Sequence, residues 1–114
     1  HIHYYVLAQT EVLQGKPLNA KDAESFTHPN FSGEEDWTNW KNNIFKQAEH
    51  FIELVKTLPE EKLLSFFQEE KYGLYYRNLH GLIEHTHYHL GQIVLVKKLI
   101  ANTISKKKKS NITS

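Results

Sequence analysis

Apolar positions recur at steps of three and four along most of this chain, the period of helices that each turn one face to a core. Ile2, Tyr5, Val6, Val12 and Leu13 keep that spacing through residues 1–14, where neither Gly nor Pro occurs, and Gly15 and Pro17 end it. Trp37, Trp40, Ile44, Ala48, Phe51, Ile52 and Val55 make a second stripe that Pro59 interrupts. Ser32 followed by Glu35 has the form of a capping box, in which hydroxyl and carboxylate each satisfy a free N–H, and it predicts the start of this helix. Pro59 with Glu60 and Glu61 suits the first turn of a short helix, so residues 59–68 are expected as a kinked continuation, with Gly73 as the next break. The longest pattern runs from Leu74 to about Ser105: Tyr75, Leu79, Leu82, Thr86, His89, Ile93, Val96 and Ile100 alternate steps of four and three. Residues 15–35 have no period and hold two of the chain's 3 prolines, which predicts a long connection of the kind often laid over a site.

These elements specify an all-α, up-and-down helical bundle, and 114 residues that are 39% hydrophobic suffice for one domain with a modest core. Of 14 basic residues four are the run Lys106–Lys109, and without them the body is slightly acidic. The domain is therefore expected over residues 1–105, followed by a basic, disordered tail over 106–114 that is simply solvated. Neither a nucleic-acid nor a membrane partner is expected from so short a charge run. No apolar stretch approaches the roughly 20 residues of a bilayer span, and no signal peptide is visible, so the expected location is cytoplasmic. The acceptor-like Asn30 and Asn111 then carry no glycan. With 0 cysteines, disulfides, thiolate ligands and a cysteine nucleophile are excluded. Any metal must be held by nitrogen or oxygen.

The 8 histidines supply the candidate chemistry. His85 and His89 stand one helical turn apart, His89 in the apolar seam and His85 at its edge, so both rings can converge on one ion. The same spacing also suits two hydrogen-bonded histidines with no metal. His80 and His87 fall on the far side and are expected in solvent. A metalloprotease reading fails, because the residue after the first histidine is Thr86 where that pattern needs a general-base glutamate. Gly91, in mid-helix, costs roughly 1 kcal/mol against Ala and suggests a closely packed neighbour. Gln92 projects to the side of His85 and His89, as a second contact to a ligand or an imidazole N–H. Trp37 and Trp40 read as core packing, most of the tyrosines as boundary packing, and Asp22, Glu24 and His28 as solvated loop residues.

The segment EHTHYHLGQIVLVKKL, residues 84–99, resembles the last-helix motif of the DinB-like metal-binding four-helix bundles, with His85, His89, Gly91 and Gln92 as the matching positions. HIHYYVLAQTEVLQGKPL resembles the second helix of the same superfamily and its following loop, and the histidine it contributes matches His1. The resemblance spans residue 1 to about 105 and implies a divalent metal ion, Zn or Ni ahead of Fe or Mn, on His1, His85 and His89. His3 competes for the third place, since it lies about 200° around the helix from His1 and only one of the two can face the pair. The family places a further helix before His1, so the chain is expected to be truncated at its front. A chain that truly began there would have three long helices and an exposed apolar groove in need of a partner, and a homodimer is expected for a bundle this short. Three histidines leave a coordination position open, as in catalytic sites. By resemblance the expected activity is a metal-dependent, thiol-activating transferase acting with a low-molecular-weight thiol. The alternative is a non-catalytic helical module, with a structural metal or none, that serves dimerisation.

Overall fold

A computed structural model describes residues 1–113, with side chains through Asn111. The protein is all-helical: α1 covers Ile2–Leu13, α2 covers Glu34–Lys56 and α3 covers Tyr75–Thr113, with short 3-10 turns at Asp22–Phe26, Glu60–Leu64 and Glu70–Tyr72. One antiparallel bridge, Phe66 with Leu74, is the only strand-like pairing among the described residues. No helix is long and apolar enough to cross a membrane among the described residues. The chain divides into two compact units, His1–Leu82 and Ile83–Ser114.

In the first unit, α1 stops where Gly15 takes a positive φ of 85°. Gly15 N–H then donates to the Val12 carbonyl at 2.9 Å and Lys16 N–H to the Glu11 carbonyl at 2.9 Å, a Schellman closure that satisfies the last carbonyls of the helix. α1 packs on α2 and on the turn Asp22–Phe26. The core is small: Val12, Phe67 and Tyr75 are buried together, with Leu13, Leu18, Leu58 and Tyr72 against them, and Ala8, Leu79 and Leu82 are also buried. Phe67 and Tyr75 meet edge to face with centroids 5.1 Å apart.

The capping box does not form. Gly33 is the N-cap, and Asp36 takes the place expected of Glu35: its carboxylate accepts the Ser32 backbone N–H at 3.2 Å and the Ser32 hydroxyl. Those bonds hold the Asp36 carboxyl below the ordinary carboxylate range. Phe31 closes over the same helix start, edge-on to Trp37 at 5.3 Å and to Trp40 at 5.3 Å. Trp37 is 42% exposed and no residue of α2 is fully buried, so these aromatics form a half-open surface cluster in place of the expected core stripe.

Residues 59–68 do not continue the helix. After the turn Glu60–Leu64 the chain runs extended and folds back, with Phe67 N–H on the Gly73 carbonyl at 2.7 Å and Tyr75 N–H on the Ser65 carbonyl at 3.0 Å. Extended backbone sends neighbours to opposite sides, which is why Phe67 is 1% exposed beside Phe66 at 51%. Gly73, at φ 75° and ψ −165°, occupies a conformation open in practice only to glycine and so closes the loop. Gln68 pins it to the α1 exit: Leu18 N–H donates to Gln68 Oε1 at 2.6 Å, and Gln68 Nε2 donates to the Lys16 carbonyl.

The second unit is the rest of α3. Its helix passes through Lys106–Lys109 to Thr113, beyond the end near Ser105 that the apolar period predicts. Lysine is a good helix former, and no Gly or Pro follows Gly91 to break the ladder. Ser114, the last residue of the expected disordered tail, lies outside the described residues. A Cβ built on Gly91 meets nothing within 4 Å, so the neighbouring helix expected against that glycine is not found among the described residues.

Candidate metal centre

α3 brings His85 and His89 together as their spacing predicts. Both side chains are half-buried, their Nε2 atoms lie 3.1 Å apart, and the rings stand edge to face with centroids at 4.5 Å. Two imidazole nitrogens bound to one Zn at about 2.0–2.1 Å each stand roughly 3.3 Å apart in a tetrahedral site. The observed pair is therefore close to the bite that a single first-row ion needs. Tyr88 frames it, with its ring parallel to His85 at 6.3 Å and edge-on to His89 at 5.2 Å. Gln92 reaches that frame and not a ring nitrogen: its Nε2 donates to Tyr88 Oη at 3.3 Å. Below the pair, His89, Gln92, Ile93, Val96, Lys97 and Ile100 line a shallow apolar groove on the helix.

His1 is held inside the first unit by three neighbours. Its ring stacks on Phe26 with centroids at 4.4 Å and planes 16° apart, meets Tyr5 edge-on at 5.2 Å, and places Nδ1 2.7 Å from Ser25 Oγ. Ser25 is 1% exposed, and its hydroxyl donates to the Asp22 carbonyl at 2.5 Å. The turn Asp22–Phe26 is itself clamped by α1. Tyr5 donates to the Asp22 carboxylate, Tyr4 donates to Glu24 Oε2 at 3.3 Å, and Lys21 N–H donates to Tyr4 Oη at 2.7 Å. The hydrogen bond to Asp22, with burial adding to it, pushes the Tyr5 phenol above its ordinary value.

His3, the competitor for the third place, sits elsewhere on α1. Its Nδ1 is buried with no hydrogen-bond partner, and burial lowers its pKa. His80 and His87 are exposed, as their helical positions predict, and His80 stacks on Tyr76 at 5.8 Å. His50 is exposed and meets Gln14 Nε2 at 3.1 Å, and His28 contacts the Pro29 carbonyl. Asp22 and Glu24 bind tyrosines of α1. Ser25 and Phe26 carry no signal in the apolar period. The only cue is a small hydroxyl residue set between acids and an aromatic in DAESF, and its burial is a tertiary property.

Comparison with models of protein families, with curated proteins and with solved structures finds no match to this chain.

Proposed function

We propose that this protein is a metal-binding helical bundle of the DinB-like type, in which His85 and His89 each give one ring nitrogen to a divalent ion, with His1 as the third ligand that the resemblance implies. The observation that carries the reading is the His85–His89 pair, with two Nε2 atoms 3.1 Å apart on one face of α3. A histidine-only ligand set suits Zn or Ni ahead of Fe or Mn. Three neutral imidazoles would leave such an ion one open position, where it would lower the pKa of a bound water or thiol. The reaction proposed is transfer to or from a low-molecular-weight thiol, in a cytoplasmic setting that a chain with 0 cysteines suits. In that reaction the chain's own groups orient the reactant: the Tyr88 hydroxyl and Gln92 amide border the pair, and the apolar groove beyond His89 takes the reactant's hydrocarbon portion.

Metal analysis after loading with zinc or nickel and gel filtration is the test. About one ion per chain is expected for the native sequence, and none for the doubly substituted His85→Ala, His89→Ala protein. Equal content in the two would end the proposal.

The exposure of Ile93, Val96 and Ile100, at 63%, 53% and 56%, favours a second reading alongside the first: a homodimer that covers this seam with a second copy. The seam is self-complementary in form, with β-branched residues at steps of three and four as in paired helices. Sedimentation of the native chain against Ile93→Asp checks it. A dimer that becomes a monomer is expected, and identical sedimentation would remove the homodimer. A metal-free dimer would leave the non-catalytic module as the function.

A further inference from the structure

We infer that Ser25 is a positioning residue that fixes the tautomer of His1 so that Nε2 carries the lone pair, an inference that rests on the metal-site reading above. The argument is one of proton accounting. Ser25 has one hydroxyl proton. Its Oγ lies 2.5 Å from the Asp22 carbonyl oxygen, and two oxygens that close repel unless a proton sits between them. The proton therefore goes to Asp22. The Tyr5 phenol is also within hydrogen-bond reach of Ser25, but its own proton is on the Asp22 carboxylate, so toward Ser25 it too can only accept, and Oγ stays an acceptor toward His1 whichever oxygen takes the hydroxyl proton. Ser25 Oγ is then an acceptor toward His1, and Nδ1 at 2.7 Å is the N–H that donates. A neutral imidazole holds one proton, so with Nδ1 protonated the lone pair resides on Nε2.

The surroundings make this a built arrangement. Ser25 is 1% exposed, so water does not compete for its lone pairs, and Phe26 from the same turn stacks on the imidazole and fixes its plane. The opposite tautomer would turn Nδ1 into an acceptor, pull the Ser25 proton off the Asp22 carbonyl and leave two oxygens facing one another at 2.5 Å. Metal-ligating histidines generally bind through one nitrogen while the other donates to an oxygen, and removing that oxygen typically costs 10–100-fold in affinity.

The test uses the whole chain with its histidines labelled with nitrogen-15. Long-range proton–nitrogen correlation of the metal-free protein near pH 8, where imidazoles are neutral, is expected to show His1 protonated at Nδ1. Ser25→Ala is expected to convert that signal toward the Nε2-protonated form and to weaken zinc, measured by competition with a chelator, by about 10–100-fold. Ser25→Thr, which keeps the hydroxyl, is expected to restore both. A native His1 protonated at Nε2 overturns the inference without any variant, and so does a Ser25→Ala protein with unchanged tautomer and affinity. If zinc fails to bind the native chain while the tautomer is as expected, the metal reading falls and the hydrogen-bond assignment stands.

Discussion

α3 carries one apolar seam through both units, and its two ends differ sharply. Leu79 and Leu82, in the first unit, are 9% and 8% exposed, while Ile93, Val96 and Ile100, continuing the same spacing, are 63%, 53% and 56% exposed. Both ends are aliphatic and keep the same period. In the first unit the helix begins beside Phe67, and Asn78 Nδ2 donates to the Tyr72 carbonyl at 2.8 Å to tie its first turns to the preceding loop. In the second unit no comparable interior exists among the described residues, and the apolar side chains face outward. A periodic stripe thus states which face of a helix can be buried. What covers that face is a separate question, and folding stability is concentrated where an answer is already built.

The sharpest way to break this contrast is to open a cavity at each end. Phe67→Ala is expected to cost about 3–5 kcal/mol, a large share of the roughly 5–15 kcal/mol a domain has in total. Ile93→Ala in the dilute monomer is expected to cost no more than about 0.5 kcal/mol. Urea titration measures both, and similar costs would mean that the outer seam is buried in solution. The next effect down is at Gly73, whose φ of 75° with ψ −165° excludes a side chain. Gly73→Ala is expected to lose about 1–3 kcal/mol by the same titration, and a neutral result would show that the loop does not hold this conformation.

Gly91 offers the opposite sign. With nothing within 4 Å of its Cβ position, Gly91→Ala is expected to stabilise the helix by up to about 1 kcal/mol. A loss of stability, or a changed sedimentation coefficient, would reveal a neighbour pressed against that backbone. The smallest effect is at the α2 start. Because Ser32 lowers the Asp36 pKa from the ordinary 3.8, the folded state holds that proton less tightly than the unfolded state. The contribution is therefore complete above the unfolded value and is lost as pH falls through the lower, folded one. The signature is a small pH-dependent part of the melting temperature between about pH 5 and pH 2 that Ser32→Ala, which keeps the backbone N–H and loses the hydroxyl, reduces; an identical pH profile in that variant would remove the Ser32 hydroxyl as a cause.

Helices, their boundaries at Gly15 and Gly73, and the approach of His85 to His89 are all readable from the chain, because each depends on residues within a few positions of one another. The misreadings have the opposite property, except the one at the start of α2, which is local. Asp36 displaces Glu35 as the capping acid because the N-cap is Gly33, a shift of one residue that local pattern does not resolve. Residues 65–74 leave the helix because Phe67 is drawn into a core completed by Val12, more than fifty positions earlier. The aromatic stripe of α2 remains half-open because burial depends on what packs against it, as does the empty space beside Gly91.

The order of residues alone sets an all-helical chain and puts two imidazoles one turn apart, because backbone hydrogen bonds and side-chain period are local quantities. Folding in three dimensions supplies the rest: a 3-10 turn from the long connection arrives at His1, and a buried hydroxyl there faces its Nδ1. Such a contact joins residues 24 positions apart, and its strength comes from exclusion of water, which no stretch of sequence expresses until the chain has closed around it.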